Sequence, residues 1–123
     1  MKLIDREYLH KIISVKGTPD IKVITGIRRS GKSCLLLQFM EYVRNNDPDA
    51  NIIYIDFNSL SSEPYLEYHA LNNYIEEHYD CNKNNYVCID EVQMCDGFEK
   101  TVNSLHSSMK YDIYITGSNA FLL

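Results

Sequence analysis

Gly26-Ile27-Arg28-Arg29-Ser30-Gly31-Lys32-Ser33 fits the spacing G-x-x-x-x-G-K-[ST]. Its glycines let the backbone curl tightly, so that successive N–H groups converge on phosphate oxygens at a helix N-terminus. In that arrangement Lys32 puts a cation between β- and γ-phosphates, and Ser33 offers a hydroxyl to Mg²⁺. At ordinary residue frequencies a chance match in a chain of this length has odds of about 0.5%. The spacing predicts that Gly26, Arg29, Ser30, Gly31, Lys32, Ser33 and Cys34 bind a nucleotide, with the Arg28 and Arg29 side chains turned away from the phosphates.

A second element carries acid chemistry. Tyr86-Val87-Cys88-Ile89-Asp90-Glu91 is a mostly apolar run ending in two carboxylates. Alone it resembles any buried strand that ends in a polar turn. Behind a phosphate loop it reads as a metal and water site, with Asp90 at the strand tip holding Mg²⁺, directly or through water. Glu91 beside it then orients and deprotonates the attacking water. Gln93 is a candidate for placing that water, or a loop residue bonded to backbone. Thr116-Gly117-Ser118-Asn119 closes a further strand. Ser118 and Asn119 are the candidates for sensing the γ-phosphate at its tip, and Thr116 is a weaker one.

Strands and helices must alternate to bring these segments together. Ile21–Thr25 is a short β-branched run, and the helix after the loop runs from Lys32 to about Asn45, carrying Leu35, Leu36, Phe39, Met40 and Val43. Asn51–Phe57 reads as a doubly covered strand. A helix begins at Ser61-Ser62-Glu63-Pro64 and continues through Leu66, Ala70, Leu71, Tyr74 and Ile75. Strands follow at Tyr86–Asp90 and Asp112–Thr116. Between them Asp96 and Glu99 form a capping-box start for a helix bearing Phe98, Val102, Leu105 and Met109. Ahead of all this, Asp5 caps a first helix with Tyr8, Leu9, Ile12 and Ile13 on one face, and Gly17-Thr18-Pro19-Asp20 is a turn.

Composition narrows the classes. The 123 residues are 45% hydrophobic and 24% charged, with five Gly and three Pro, which suits one globular domain rather than a disordered or fibrous chain. No apolar run reaches membrane-helix length, and Asp5, Arg6 and Glu7 interrupt the start before a signal-peptide core could form. A cytoplasmic location is the expectation. Net charge is −5, but residues 1–50 hold nine Lys/Arg against six Asp/Glu while residues 51–123 hold three against eleven. The acidic second part argues against a nucleic-acid surface there. Cys34 falls in a helix pattern, Cys88 in mid-strand, and Cys81 and Cys95 at the two ends of that segment. All four are expected to be reduced, structural thiols rather than a metal or disulfide framework.

Taken in order, Gly26–Ser33, Ile89-Asp90-Glu91-Val92-Gln93 and Ile113-Tyr114-Ile115-Thr116-Gly117-Ser118-Asn119-Ala120 resemble the AAA-type ATPase domain of a large prokaryotic family. Its members run to several hundred residues and usually carry a nuclease-like domain at the C-terminal end. The resemblance implies ATP and Mg²⁺ as ligands and ATP hydrolysis as the activity. It implies an α/β, three-layer P-loop core, with a parallel sheet of about four strands in the order 2-3-4-1. Residues 1–20 would form an N-terminal helix and turn, and 21–123 the ATPase core, incomplete at its C-terminal end. The first strand's free edge would then favour self-association or pairing with an absent C-terminal part. Two rival readings differ in class: a nucleotide-binding or interaction module with little turnover, and a P-loop GTPase. The second lacks its guanine-reading motif, since Asn82-Lys83-Asn84-Asn85 has no acid where Asn-Lys-x-Asp needs one. A DNA-end-processing role would come only from the absent domain.

Overall fold

The computed structural model of the chain describes residues 3–25 and 29–117, the side chains of residues 3–6, 29 and 30 excepted. Four strands, β1 (Lys22–Ile24), β2 (Asn51–Asp56), β3 (Asn85–Asp90) and β4 (Tyr111–Thr116), form one parallel sheet in the order β1-β4-β3-β2. Read from the other edge this is the expected 2-3-4-1. The helices are α1 (Leu3–Ser14), α2 (Arg29–Asn46), α3 (Tyr68–Glu77) and α4 (Phe98–Ser108), with short 3₁₀ turns at Leu60–Tyr65 and Val92–Met94. No described helix is long and apolar enough to cross a membrane.

Period-two alternation sorts the strand side chains between two helix layers. Val87 and Ile89, with Ile53, Ile55, Ile113 and Ile115, pack against Leu71 and Ile75 of α3 and Phe98, Val102 and Leu105 of α4. Tyr86, Cys88 and Tyr114 face the other way, onto Ile12 of α1 and Leu35, Leu36, Phe39, Met40 and Val43 of α2. Phe39 meets the Tyr114 ring at 4.2 Å. Burying a side chain of this kind contributes about 1.5–3 kcal/mol. Every residue of β3 is buried, as a central parallel strand covered on both faces should be.

Four local expectations are corrected. α1 begins at Leu3, so Asp5 lies inside it and does not cap it. α2 begins at Arg29, not Lys32, so Ser30 and Gly31 are helical; the first N–H groups of a helix need no intrahelical partner, which lets the motif itself form the first turn. The single helix expected from Ser61 onward is two pieces. Glu67 is extended between them, bridged to Asp96, and its carboxylate accepts from the His69 and Ala70 N–H groups as the cap of α3. The same bridge takes Asp96 away from the capping box: its N–H donates to Leu66 O at 2.8 Å and its carbonyl accepts from Tyr68 N. α4 instead starts after Gly97, at φ 74° and with no side-chain cap. A Cβ on Gly97 would lie 2.4 Å from Tyr68 Cδ1, so both its conformation and its neighbour call for glycine.

Candidate nucleotide site

Parallel pairing brings the C-terminal tips of β3 and β4 beside the first turns of α2. Lys32 is 7% exposed; its Nζ donates to Gly117 O at 3.1 Å and stands 3.9 Å from Glu91 Oε2. Ser33, one residue on, donates its hydroxyl to Asp90 Oδ2 at 2.5 Å. Asp90 is 1% exposed at the end of β3, and its other oxygen, Oδ1, accepts from the Thr116 hydroxyl at 2.5 Å. The Glu91 N–H donates to that same Thr116 Oγ1 at 3.0 Å.

Glu91 itself is left-handed, with φ 56° and ψ 55°. A glutamate in this region is strained, by about 1–3 kcal/mol, and such residues persist where surrounding contacts hold them. Here the contacts are the Thr116 hydroxyl on its backbone and the Gln93 amide, which donates to Glu91 Oε1 at 2.8 Å. The turn ends β3 abruptly and leaves the Glu91 carboxylate beside the Lys32 ammonium.

Lys32, Ser33, Asp90 and Glu91, expected from the sequence, therefore meet in one place, and Gln93 touches Glu91. Gly31 is half-buried in the same turn of α2, while Cys34 is exposed. The four thiols divide: Cys88 and Cys95 are buried, but Cys34 and Cys81 are exposed, so the expectation that all four are structural fails for these two. Leu35 and Leu36 supply the buried face there, which turns Cys34 outward. Arg29 and Ser30 belong to the backbone of α2, with their side chains outside the description. Gly26, Arg28, Ser118 and Asn119 lie outside the described residues.

One participant escaped the sequence reading. The Gly117 carbonyl that receives Lys32 left no trace there, because any residue has a carbonyl. Asp56, also unremarked, ends β2 in register with Asp90 and accepts from the Asn58 N–H. Burial, with Asp56 and Asp90 adding to it, pushes the Tyr54 phenol up to about 12. The signal for Asp56 was available, since an acid ends the apolar run Ile52–Ile55.

A hydroxyl and a carboxylate in direct contact, with an ammonium and a second carboxylate alongside, suit a hard divalent cation and a phosphate chain. The comparisons with known proteins bear on the family and the fold. The sequence pattern of the AAA domain matches residues 18–123. An uncharacterised protein of Haemophilus influenzae is 41% identical across 98% of this chain, and one of Methanocaldococcus jannaschii is 32% identical across 99% of it. The chain spans 31% and 25% of the lengths of those two relatives. Among solved structures, domain III of the Thermotoga maritima replication initiation protein DnaA matches with a TM-score of 0.61 at 26% identity, over 95% of this chain and 52% of that one. Caenorhabditis elegans PCH-2 matches with a TM-score of 0.63 over 98% of this chain and 39% of that one; at 14% identity it speaks for the fold alone. With the motif spacing, the 2-3-4-1 parallel sheet and the pattern match in agreement, this chain belongs to the AAA domain family.

Proposed function

We propose that this domain binds ATP with Mg²⁺ and hydrolyses it. The observation that carries the reading is the direct contact of Ser33 with Asp90, flanked by Lys32 and Glu91. Mg²⁺ prefers oxygen ligands and is held by one or two protein groups, with water and phosphate completing its shell. Ser33 and Asp90 fit that role. The ion, when bound, neutralises charge on the phosphate oxygens.

The chain's own residues do the rest. Lys32 has three donor protons on a flexible stem and exchanges the Gly117 carbonyl for β- and γ-phosphate oxygens. The N–H groups opening α2, from Ser30 to Cys34, add the positive end of the helix. Glu91 takes the proton of a water attacking the γ-phosphate, while Gln93 steadies the carboxylate from its other oxygen. Ser118 and Asn119 follow Gly117 directly and are the sensor candidates.

Calorimetry and a phosphate-release assay on the same preparation test this. Lys32→Ala is expected to weaken ATP binding by about 10- to 150-fold, the worth of a charge-assisted contact of about 1.5–3 kcal/mol. Glu91→Gln is expected to keep the affinity within a few-fold while phosphate release collapses, because a base acts in the transition state. Unchanged ATP affinity in Lys32→Ala would end the reading.

A further inference from the structure

We infer that Thr116 is the positioning residue of the acid pair, one hydroxyl that sets the orientation of the Asp90 carboxylate and the backbone of Glu91. It is wholly buried at the end of β4, a central strand. A hydroxyl buried there is costly unless both its proton and a lone pair are used. Both are used: the proton goes to Asp90 Oδ1 and the oxygen accepts from the Glu91 N–H.

The consequences run along each bond. The terminal torsion of an aspartate is broad and is easily turned. With Oδ1 fixed by Thr116, Oδ2 is the oxygen presented to Ser33. With its N–H fixed, Glu91 is kept in its left-handed turn, which brings Oε2 to 3.9 Å from Lys32. A hydroxyl has one proton to give, and Thr116 has given it to Asp90. Thr116 thus acts through the acids and drops out as a phosphate sensor.

As far as it concerns Mg²⁺, the inference rests on the nucleotide reading above. The test compares Thr116→Val, which keeps the shape without the hydroxyl, with Thr116→Ser, which restores it. Exchange of the Glu91 amide proton, followed by NMR without nucleotide, is expected to accelerate at least about tenfold in Thr116→Val and to return to the wild-type rate in Thr116→Ser. ATP affinity is then titrated with and without Mg²⁺. Thr116→Val is expected to keep its Mg²⁺-free affinity within threefold and to lose about tenfold or more of the Mg²⁺ enhancement, which Thr116→Ser recovers. Should Thr116→Val not fold, Thr116→Cys carries the comparison, since a thiol is a weak donor of similar shape. Wild type that binds ATP no better than Lys32→Ala overturns the nucleotide reading and the inference that rests on it. Wild type that binds, beside a valine or cysteine variant keeping its Mg²⁺ enhancement within threefold, overturns the role of Thr116 alone. A serine variant as impaired as the valine one overturns it too.

Discussion

Two lysines at opposite ends of the sheet are buried to the same degree, 7% exposed each, and are used differently. Lys22, at the N-terminal end of β1, donates to Thr18 O and to Asp112 Oδ1 at 2.6 Å, with the Tyr114 ring 5.3 Å away. Asp112 also accepts from the Gly17 N–H and the Tyr114 hydroxyl. Burial and that carboxylate hold the Tyr114 phenol well above its ordinary range. Nearby, the Asn85 amide donates to two carbonyls while its oxygen accepts from Asn51 and from the Asp80 N–H. The Tyr111 hydroxyl, buried without a partner among the described residues, is the exception at this end. Lys32, at the other end, has one carbonyl at 3.1 Å and a carboxylate at 3.9 Å among the described residues. Gln93 Oε1 beside it is buried with no partner among them. Among the described residues Lys22 has two acceptors within 2.6 Å and Lys32 one at 3.1 Å, so hydrogen bonding rather than burial separates the two regions.

Stability measurements can break that distinction most directly. Asp112→Ala would leave Lys22, the Gly17 N–H and the Tyr114 hydroxyl short of a partner, and is expected to cost about 3–5 kcal/mol in urea unfolding. Lys32→Met is expected to change unfolding stability by no more than about 1 kcal/mol, while ATP binding weakens by about 10- to 150-fold as in Lys32→Ala. Equal destabilisation by the two would mean that Lys32 is as structural as Lys22.

Thiol chemistry sharpens the contrast from another side. Burial pushes Cys95 up to about 12, with Glu67, Asp96 and Glu99 adding to it, and holds Cys88 far above the ordinary thiol range. An aromatic disulfide reagent on folded protein is expected to modify Cys34 and Cys81 and to reach Cys88 and Cys95 only on unfolding. Mg-ATP is expected to slow Cys34 alone, because Cys34 lies on the first turns of α2. Equal protection of Cys81 would point to general tightening instead of a local ligand.

The smallest expected effect is a cap outside both regions. Glu67 is held below its usual value, first by the His69 N–H, then by the His69 side chain and the Ala70 N–H. A depressed carboxylate contributes its stability above the unfolded value and loses it as pH falls through the folded one. The melting temperature of Glu67→Ala should therefore lie slightly below wild type at neutral pH, with the gap closing below about pH 4. A gap that stays constant with pH would assign the loss to helix propensity rather than to the charge.

Much of the site was legible because its parts are local. Gly26–Ser33 is contiguous, Asp90 and Glu91 are adjacent, and period-two and helical patterns name the strands and helices that carry them. The strand order came with the resemblance, not with the residue pattern, and the sheet has that order. The resemblance the motifs carry supplied the expectation of an AAA-type core, which the pattern match over residues 18–123 supports. The tertiary structure decided what depends on who meets whom. Asp96 has a capping residue's sequence context, but its pairing with Glu67 claims its backbone and passes the cap to Gly97. Thr116 reads as a strand end and a weaker sensor candidate until β3 and β4 lie side by side and its hydroxyl reaches Asp90 and Glu91. The motif spacing singles out Lys32, but nothing near Lys22 in the sequence announces the Thr18 and Asp112 contacts that bury it. Hydrogen bonds across 25 or 90 residues of chain are set by packing, and a pattern over a few neighbours carries no information about them.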